Sequence, residues 1–276
     1  MTAFAPDLET ATELCARGQT ALLTATRVDD LETPVSAYLK LASHNTNTFL
    51  LESVEGGAFR GRYSAIGLDP DLIWRCRGDV AEIATAPAPG VAPGAFEPSA
   101  DKPLQSLRKL IDESRLTLPS GLPPIAAGLF GYLGYDTIRQ VERLPNHAGP
   151  DPLDLPEGQL LRPRVMVVFD ALRQEILVAA PVRPKPGMEA ELQVDAARRR
   201  IEAVFARLDA PAPIAGSAAP WTLEEPVSNM EPAQYRQNVE TAKDYIRAGG
   251  IFQVVPSQRF PAAYTATPPA PAGRSW

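Results

Sequence analysis

The sequence predicts an α+β domain, with antiparallel or mixed sheets packed against helices. Three observations carry that assignment. Between residues 48 and 84, short runs rich in β-branched and aromatic residues follow one another, parted by Gly, Asp and Pro. A second pair of such runs, 163–170 and 173–180, flanks the turn Asp170-Ala171-Leu172-Arg173 and reads as a hairpin. Two segments, 103–114 and 188–208, instead space their apolar residues three and four apart, which is the period of a helix. Strands come in groups, with no regular alternation with helices, and that grouping points to α+β architecture.

Composition narrows the class. A chain of 276 residues, 45% hydrophobic and 22% charged, can build a sizeable core. A formal charge of -6 leaves no basic footprint for nucleic acid or an anionic membrane. No run of 18 apolar residues occurs, and no basic segment leads into an apolar core at the start. Cys15 and Cys76 have neither metal-ligand spacing nor a disulfide pattern, so a cytoplasmic location is expected. Proline is unusually frequent, at 29 residues, and gathers in the loops and the C-terminal tail.

In chain order, residues 3–17 form a loosely periodic helix stopped by Gly18, and 21–27 form a strand. Residues 35–41 are a strand by composition. Pro34 at a first helical position behind a Thr33 cap makes them a helix instead. A strand at 48–54 places Phe49 and Leu51 on one side, with Leu50 and Glu52 on the other. Glu55-Gly56-Gly57 turns into strands 62–67 and 71–76, separated by Leu68-Asp69-Pro70, and Gly78-Asp79 leads into 80–84. Residues 85–99 read as an exposed loop, and so do 142–160. Helix 103–114 carries the stripe Leu104, Leu107, Leu110 and Ile111. Helix 188–208 carries Val194, Ala197, Ile201, Val204, Phe205 and Leu208, with Arg198 to Arg200 as a solvated basic face. Gly128, Gly131 and Gly134 recur every third residue; they read as packing points, since no phosphate-loop order accompanies them.

Near the C-terminus, Tyr235, Val239, Ala242 and Ile246 form a helical stripe behind Glu231 and Pro232. Gly249 and Gly250 end the helix, and 251–255 read as a strand interrupted at Pro256. The run AKDYIRAGGIFQVVPSQRF resembles the opening of the chorismate-binding domain of anthranilate synthase component I, with Gly250 where that family usually has Asp. The resemblance implies residues 1–209 as the family's N-terminal domain, 210–226 as linker and 227–260 as the start of a truncated chorismate-binding domain. Residues 261–276 are then a disordered or frameshifted tail, a reading favoured by the abrupt change to Pro and Ala.

The same resemblance assigns roles to particular residues. Glu52, Ser53 and Ser64 look like the family's feedback site for tryptophan. From its neighbours alone, Glu52 is either a sheet carboxylate satisfied by Arg60 or Arg62, or the acceptor of a ligand ammonium. Gly131, Tyr132, Tyr135 and Asp136 match a G-Y-x-x-Y-D segment found in the family at the interface of the two halves. Gln253 stands where isochorismate and salicylate synthases carry a water-activating Lys, and a neutral amide cannot act as a general base, so it resembles the anthranilate type. His44 and His147 stand in isolated loops, and no metal ligand set is expected in this chain.

The implied function is conversion of chorismate and ammonia to anthranilate and pyruvate. Mg²⁺ in the complete enzyme polarises the substrate, and a glutamine amidotransferase subunit, component II, supplies the ammonia. The family's Pro-Ile-Lys-Gly-Thr-Arg segment is not in these 276 residues, so the chain by itself is expected to be inactive. Two other readings stay open: the corresponding half of aminodeoxychorismate synthase component I, and a non-catalytic tryptophan-binding or subunit-binding module.

Overall fold

Two long antiparallel strands form the spine of the molecule: β3 (Tyr63–Arg77) and β7 (Gly158–Asp170). The computed structural model describes residues 2–28, 31–42, 47–53, 61–88, 90–145, 153–211 and 225–262. His44, His147, the turn at 55–57 and the tail from 263 onward lie outside them, as does most of the 210–226 segment. Chain contacts divide the protein into a larger unit built on Met1–Ile214 and a smaller one on Ala215–Pro269. Among the described residues, no helix is long and apolar enough to cross a membrane.

In the larger unit each half of the spine has its own outer partner. On the β3 side, β2 (Phe49–Leu51) pairs with the first half and β4 (Val80–Thr85) with the second. On the β7 side, β6 (Phe130–Leu133) pairs with the first half and β8 (Glu175–Val182) with the second. β1 (Ala21–Val28) extends the sheet beyond β8, and β5 (Glu97–Pro98) extends it beyond β4. Every described pairing is antiparallel, giving an α+β fold with an open sheet.

The change of partner coincides with an irregularity. Strands expected separately at 62–67 and 71–76 are one strand, bent where the register shifts between Pro70 and Leu72. Asp69 takes the left-handed conformation there (φ 52°), which Asp tolerates better than most residues. Pro70 faces Pro163 across the ladder, so neither residue at that position can donate a backbone hydrogen bond to the other. β7 likewise begins at Gly158, inside the stretch expected to be loop, because β3 continues far enough to pair with it. The 85–99 loop is irregular apart from β5.

One face of the sheet is covered by α1 (Leu8–Ala16), α2 (Pro34–Leu41) and α4 (Ala190–Leu208). Asp7 accepts the Thr10 N–H at 2.8 Å and caps α1, whose span is shorter than the expected 3–17. α2 is the helix that Thr33 and Pro34 foretold, with a reciprocal Thr33–Ser36 capping box. All six stripe residues of α4 are buried, each worth roughly 1.5–3 kcal/mol if a Val, Ile, Leu or Phe side chain leaves water completely. α3 (Pro103–Ser114) buries Leu107 and Leu110 against Trp74, Cys76 and Ala81, and the Trp74 indole donates to Ser106 Oγ at 3.2 Å. Burial pushes the thiols of both Cys15 and Cys76 above their ordinary range, as suits inert core residues.

The smaller unit is a helix with an extended arm. α5 (Pro232–Arg247) starts at Glu231 with Pro in its first turn, and it ends with Gly249 at φ 74°. Of the expected stripe Tyr235, Val239 and Ala242 are half-buried while Ile246 is exposed, and none of α5 is fully buried. The strand expected at 251–255 does not form. The described residues of this unit offer it no partner strand, and an unpaired extended segment has no ladder to hold it. Instead the arm is tied back farther on, where Asn229 N–H donates to Arg259 O (2.9 Å) and Arg259 N–H to Asn229 Oδ1 (2.8 Å).

Candidate functional site

β2 brings two of the three residues of the expected feedback site together. Its register with β3, Leu51 opposite Ala65, carries the chain onward so that Ser53 N–H donates to Ser64 Oγ at 3.1 Å. Ser64 is 8% exposed, Ser53 is half-buried and Glu52 is exposed. The result is an open ledge at the outer edge of the sheet. Because Ser64 Oγ is already accepting, its own proton remains free to be donated onward.

Glu52 makes no hydrogen bond or ion pair with any described residue. One partner proposed for it from sequence, Arg62, is committed elsewhere: its Nε and Nη2 donate to the two carboxylate oxygens of Asp170 at 2.9 and 2.6 Å. The guanidinium also lies 4.8 Å from the centre of the Tyr63 ring. The Arg62 hydrogen bond, ahead of its charge, holds the Asp170 carboxyl below the usual carboxylate range. Arg60, the other suggested partner, lies outside the described residues. Among the described residues Glu52 thus has no partner for its carboxylate, and it immediately precedes Ser53, whose N–H meets the buried Ser64 hydroxyl, a combination suited to a ligand ammonium.

Beneath this ledge the sheet is built for close approach. A Cβ on Gly67 would sit 2.1 Å from Phe49 Cε1, so the Phe49 ring occupies the place of a side chain there. The same ring lies 5.0 Å from that of Phe130 on β6, an aromatic contact that links β2 and β6 across the sheet face. Nothing in the spacing of the sequence singled out Gly67 or Phe130.

The Gly131–Asp136 segment is a strand followed by a short 3-10 helix, Tyr135–Gln140. Its glycines are packing points: a Cβ on Gly131 would meet Gln159 O at 1.9 Å, and one on Gly134 would meet Glu157 O at 3.0 Å. Tyr132 donates to Pro156 O at 2.9 Å, and Asp136 accepts from Arg139 Nε at 2.8 Å. Tyr135, at 94% exposed, projects its ring into solvent. Gln253 lies in the extended arm of the smaller unit and is exposed.

Sequence reasoning missed a cluster of charge at the bend of the spine. Arg162 grips Asp71 with Nε and Nη2 at 2.7 and 3.1 Å, and Arg164 reaches Asp69 at 3.3 Å and Ala86 O at 2.7 Å. The signal was present: two acidic residues two apart on one strand (69 and 71) and two arginines two apart on another (162 and 164). Arg200, expected on a solvated face, is half-buried here instead, because α4 lies over the bend. Among the described residues, no group of three or more His, Cys, Asp or Glu could hold a metal ion.

An antiparallel α+β sheet backed by helices, with a polar ledge at its edge, is the architecture of a recognised class. Residues 67–272 match the family described as chorismate binding enzyme, and the chain belongs to that family. Its relatives include anthranilate synthase component 1 of Cereibacter sphaeroides, 48% identical over 246 residues, covering 88% of this chain and 48% of that protein. The same protein of Synechocystis sp. is 34% identical over 277 residues, covering 96% and 53%, and that of Thermus thermophilus is 36% identical over 239, covering 87% and 47%. The chain thus spans about half the length of the curated relatives it matches. The crystal structure of anthranilate synthase component I from Streptococcus pneumoniae shares the fold with a TM-score of 0.50 and 21% identity, over 80% of this chain and 45% of that one.

Proposed function

We propose that this chain is the tryptophan-sensing part of an anthranilate synthase component I, the enzyme that makes anthranilate and pyruvate from chorismate and ammonia. The observation that carries the reading is the Glu52 carboxylate, without a partner among the described residues, next in sequence to the Ser53–Ser64 hydrogen bond. In this reading Glu52 accepts the ammonium of tryptophan, and Ser64 donates its free proton to a polar group of the ligand. The Gly131–Asp136 segment serves as the surface on which the catalytic half docks, and Gln253 as a neutral residue that leaves water unactivated. Component II supplies ammonia to the complete enzyme in a cytoplasmic setting. Mg²⁺ belongs to the complete enzyme too, and the described residues do not fit it.

The test is Glu52→Ala in an enzyme joining these residues to the family's catalytic segment. A hydrogen bond to a charged group is worth about 1.5–3 kcal/mol, so half-inhibition by tryptophan should need about tenfold more ligand or beyond, with uninhibited turnover retained. Unchanged inhibition returns Glu52 to a surface role. Identifying the product separates this reading from aminodeoxychorismate synthesis, since only anthranilate is aromatic and fluorescent.

A further inference from the structure

We propose that the cleft beside the bend of the spine, between β7, the end of β8 and α4, binds a small doubly charged anion on Arg183 and Arg200. The anion is of the phosphate-monoester or dicarboxylate class. Four cations line this cleft, Arg164, Arg183, Lys185 and Arg200, and the one carboxylate among its described lining residues is Asp71. That carboxylate is already forked by Arg162, and Arg183 Nη1 stands 3.9 Å from it, too far for a hydrogen bond. Asp69, behind the cleft, is engaged by Arg164.

The Nε–H groups of both Arg183 and Arg200 are buried without an acceptor among the described residues. Buried donors are nearly always satisfied, and an unpaired buried charge is among the costliest defects in a fold. Burial pushes the Arg183 guanidinium down to about 10, with Asp71 opposing and the neighbouring arginines adding to the fall. Arg200 is lowered for the same leading reason, and next by Arg164. Two arginines whose Nε–H groups lack an acceptor among the described residues, one of them no closer than 3.9 Å to the carboxylate of the cleft, form a site that an anion with several oxygens would complete.

The walls are fixed. Arg164, only 8% exposed, is pinned to Ala86 O at 2.7 Å and so holds the 86–88 loop on one side. On the other, the buried Gln193 amide accepts from Lys185 N–H (2.9 Å) and donates to Met188 O (2.9 Å), locking the turn after β8 to α4. The cavity of about 260 Å³ has room for a small ligand. None of these residues belongs to the Glu52 ledge, so the inference stands apart from the tryptophan reading.

The experiment titrates the chain with inorganic phosphate and, separately, with malonate. It follows thermal unfolding and phosphorus-31 line width, with chloride at equal ionic strength as control. Saturable stabilisation by phosphate, malonate or both, beyond chloride, is expected, and the stronger ligand assigns the class. Arg200→Gln and Arg183→Gln should weaken the response about tenfold or more while melting, without anion, no lower than the parent, since each removes one of several crowded cations. If a variant does not fold, the exposed Lys185→Gln decides: it should weaken the response to whichever anion stabilises the parent chain, and an unchanged response counts against the proposal. A response to neither phosphate nor malonate greater than that to chloride overturns the proposal; so does full response in folded Arg183 and Arg200 variants.

Discussion

The Arg62 guanidinium holds both carboxylate oxygens of Asp170, at 2.9 and 2.6 Å, across the end of the β3–β7 spine. Asp170 also accepts the backbone N–H groups of Leu172 (3.1 Å) and Arg173 (3.3 Å), so one side chain closes the ladder and caps the turn into β8. Asp170→Asn should lower Tm by about 2–4 °C, the shift expected of ~1 kcal/mol in a domain of this size. The carboxyl is held below its unfolded value, chiefly by the Arg62 hydrogen bond. Its contribution is therefore present above the ordinary Asp range near 3.9 and fades as pH falls through the lower folded value. Melting curves from pH 7 down to pH 2 check this: parent and variant should converge at the acid end.

Ser64 is the hinge of the proposed tryptophan ledge. Ser64→Ala removes the acceptor for Ser53 N–H and the donor offered to the ligand together. We expect a loss of about 0.5–1.5 kcal/mol in stability and weaker tryptophan binding. Ser64→Thr, which keeps the hydroxyl, should retain more of the binding than Ser64→Ala. Equal binding by the parent and the Ala variant would remove Ser64 from the ligand's surroundings.

Gly131 and Gly94 make a matched pair of tests. A Cβ on Gly131 meets the Gln159 carbonyl at 1.9 Å, and backbone cannot swing aside as a side chain can. Gly131→Ala should cost about 1–3 kcal/mol or more and expose the β6 amides to exchange, as overpacking does. At Gly94 the nearest atom to a Cβ is Thr85 O at 3.7 Å, an ordinary contact. Gly94→Ala should be close to neutral by the same denaturant titration.

Ser106→Ala leaves the buried Trp74 indole N–H without its acceptor. Leaving such a donor unmade costs about 1–3 kcal/mol, more than the bond itself contributes. Urea unfolding should show the midpoint falling with an unchanged slope.

These 276 residues, supplied with chorismate, Mg²⁺ and excess ammonium, should yield no anthranilate above a no-enzyme control. Catalysis requires reacting groups in place within about an ångström, and the sequence contains no Pro-Ile-Lys-Gly-Thr-Arg segment to position chorismate. Turnover that disappears on substituting Gln253 would relocate the active site into this chain.

Local pattern alone determined much of this protein. Thr33 and Pro34 announced α2, the apolar stripe of α4 was buried residue for residue, and Gly249 ended α5 as its position required. Each of these depends on neighbours within a turn or two, where side-chain period and capping chemistry act directly. Tertiary structure decided the rest. Whether 62–76 made one strand or two depended on β7 running alongside the whole length, and 251–255 stayed unpaired for want of such a partner. Arg62 turned to Asp170 and not to Glu52, while Arg200 turned to the bend of the spine. A charged side chain takes the partner that the packed elements bring within reach, and residues 108 apart in sequence meet only once the sheet has formed.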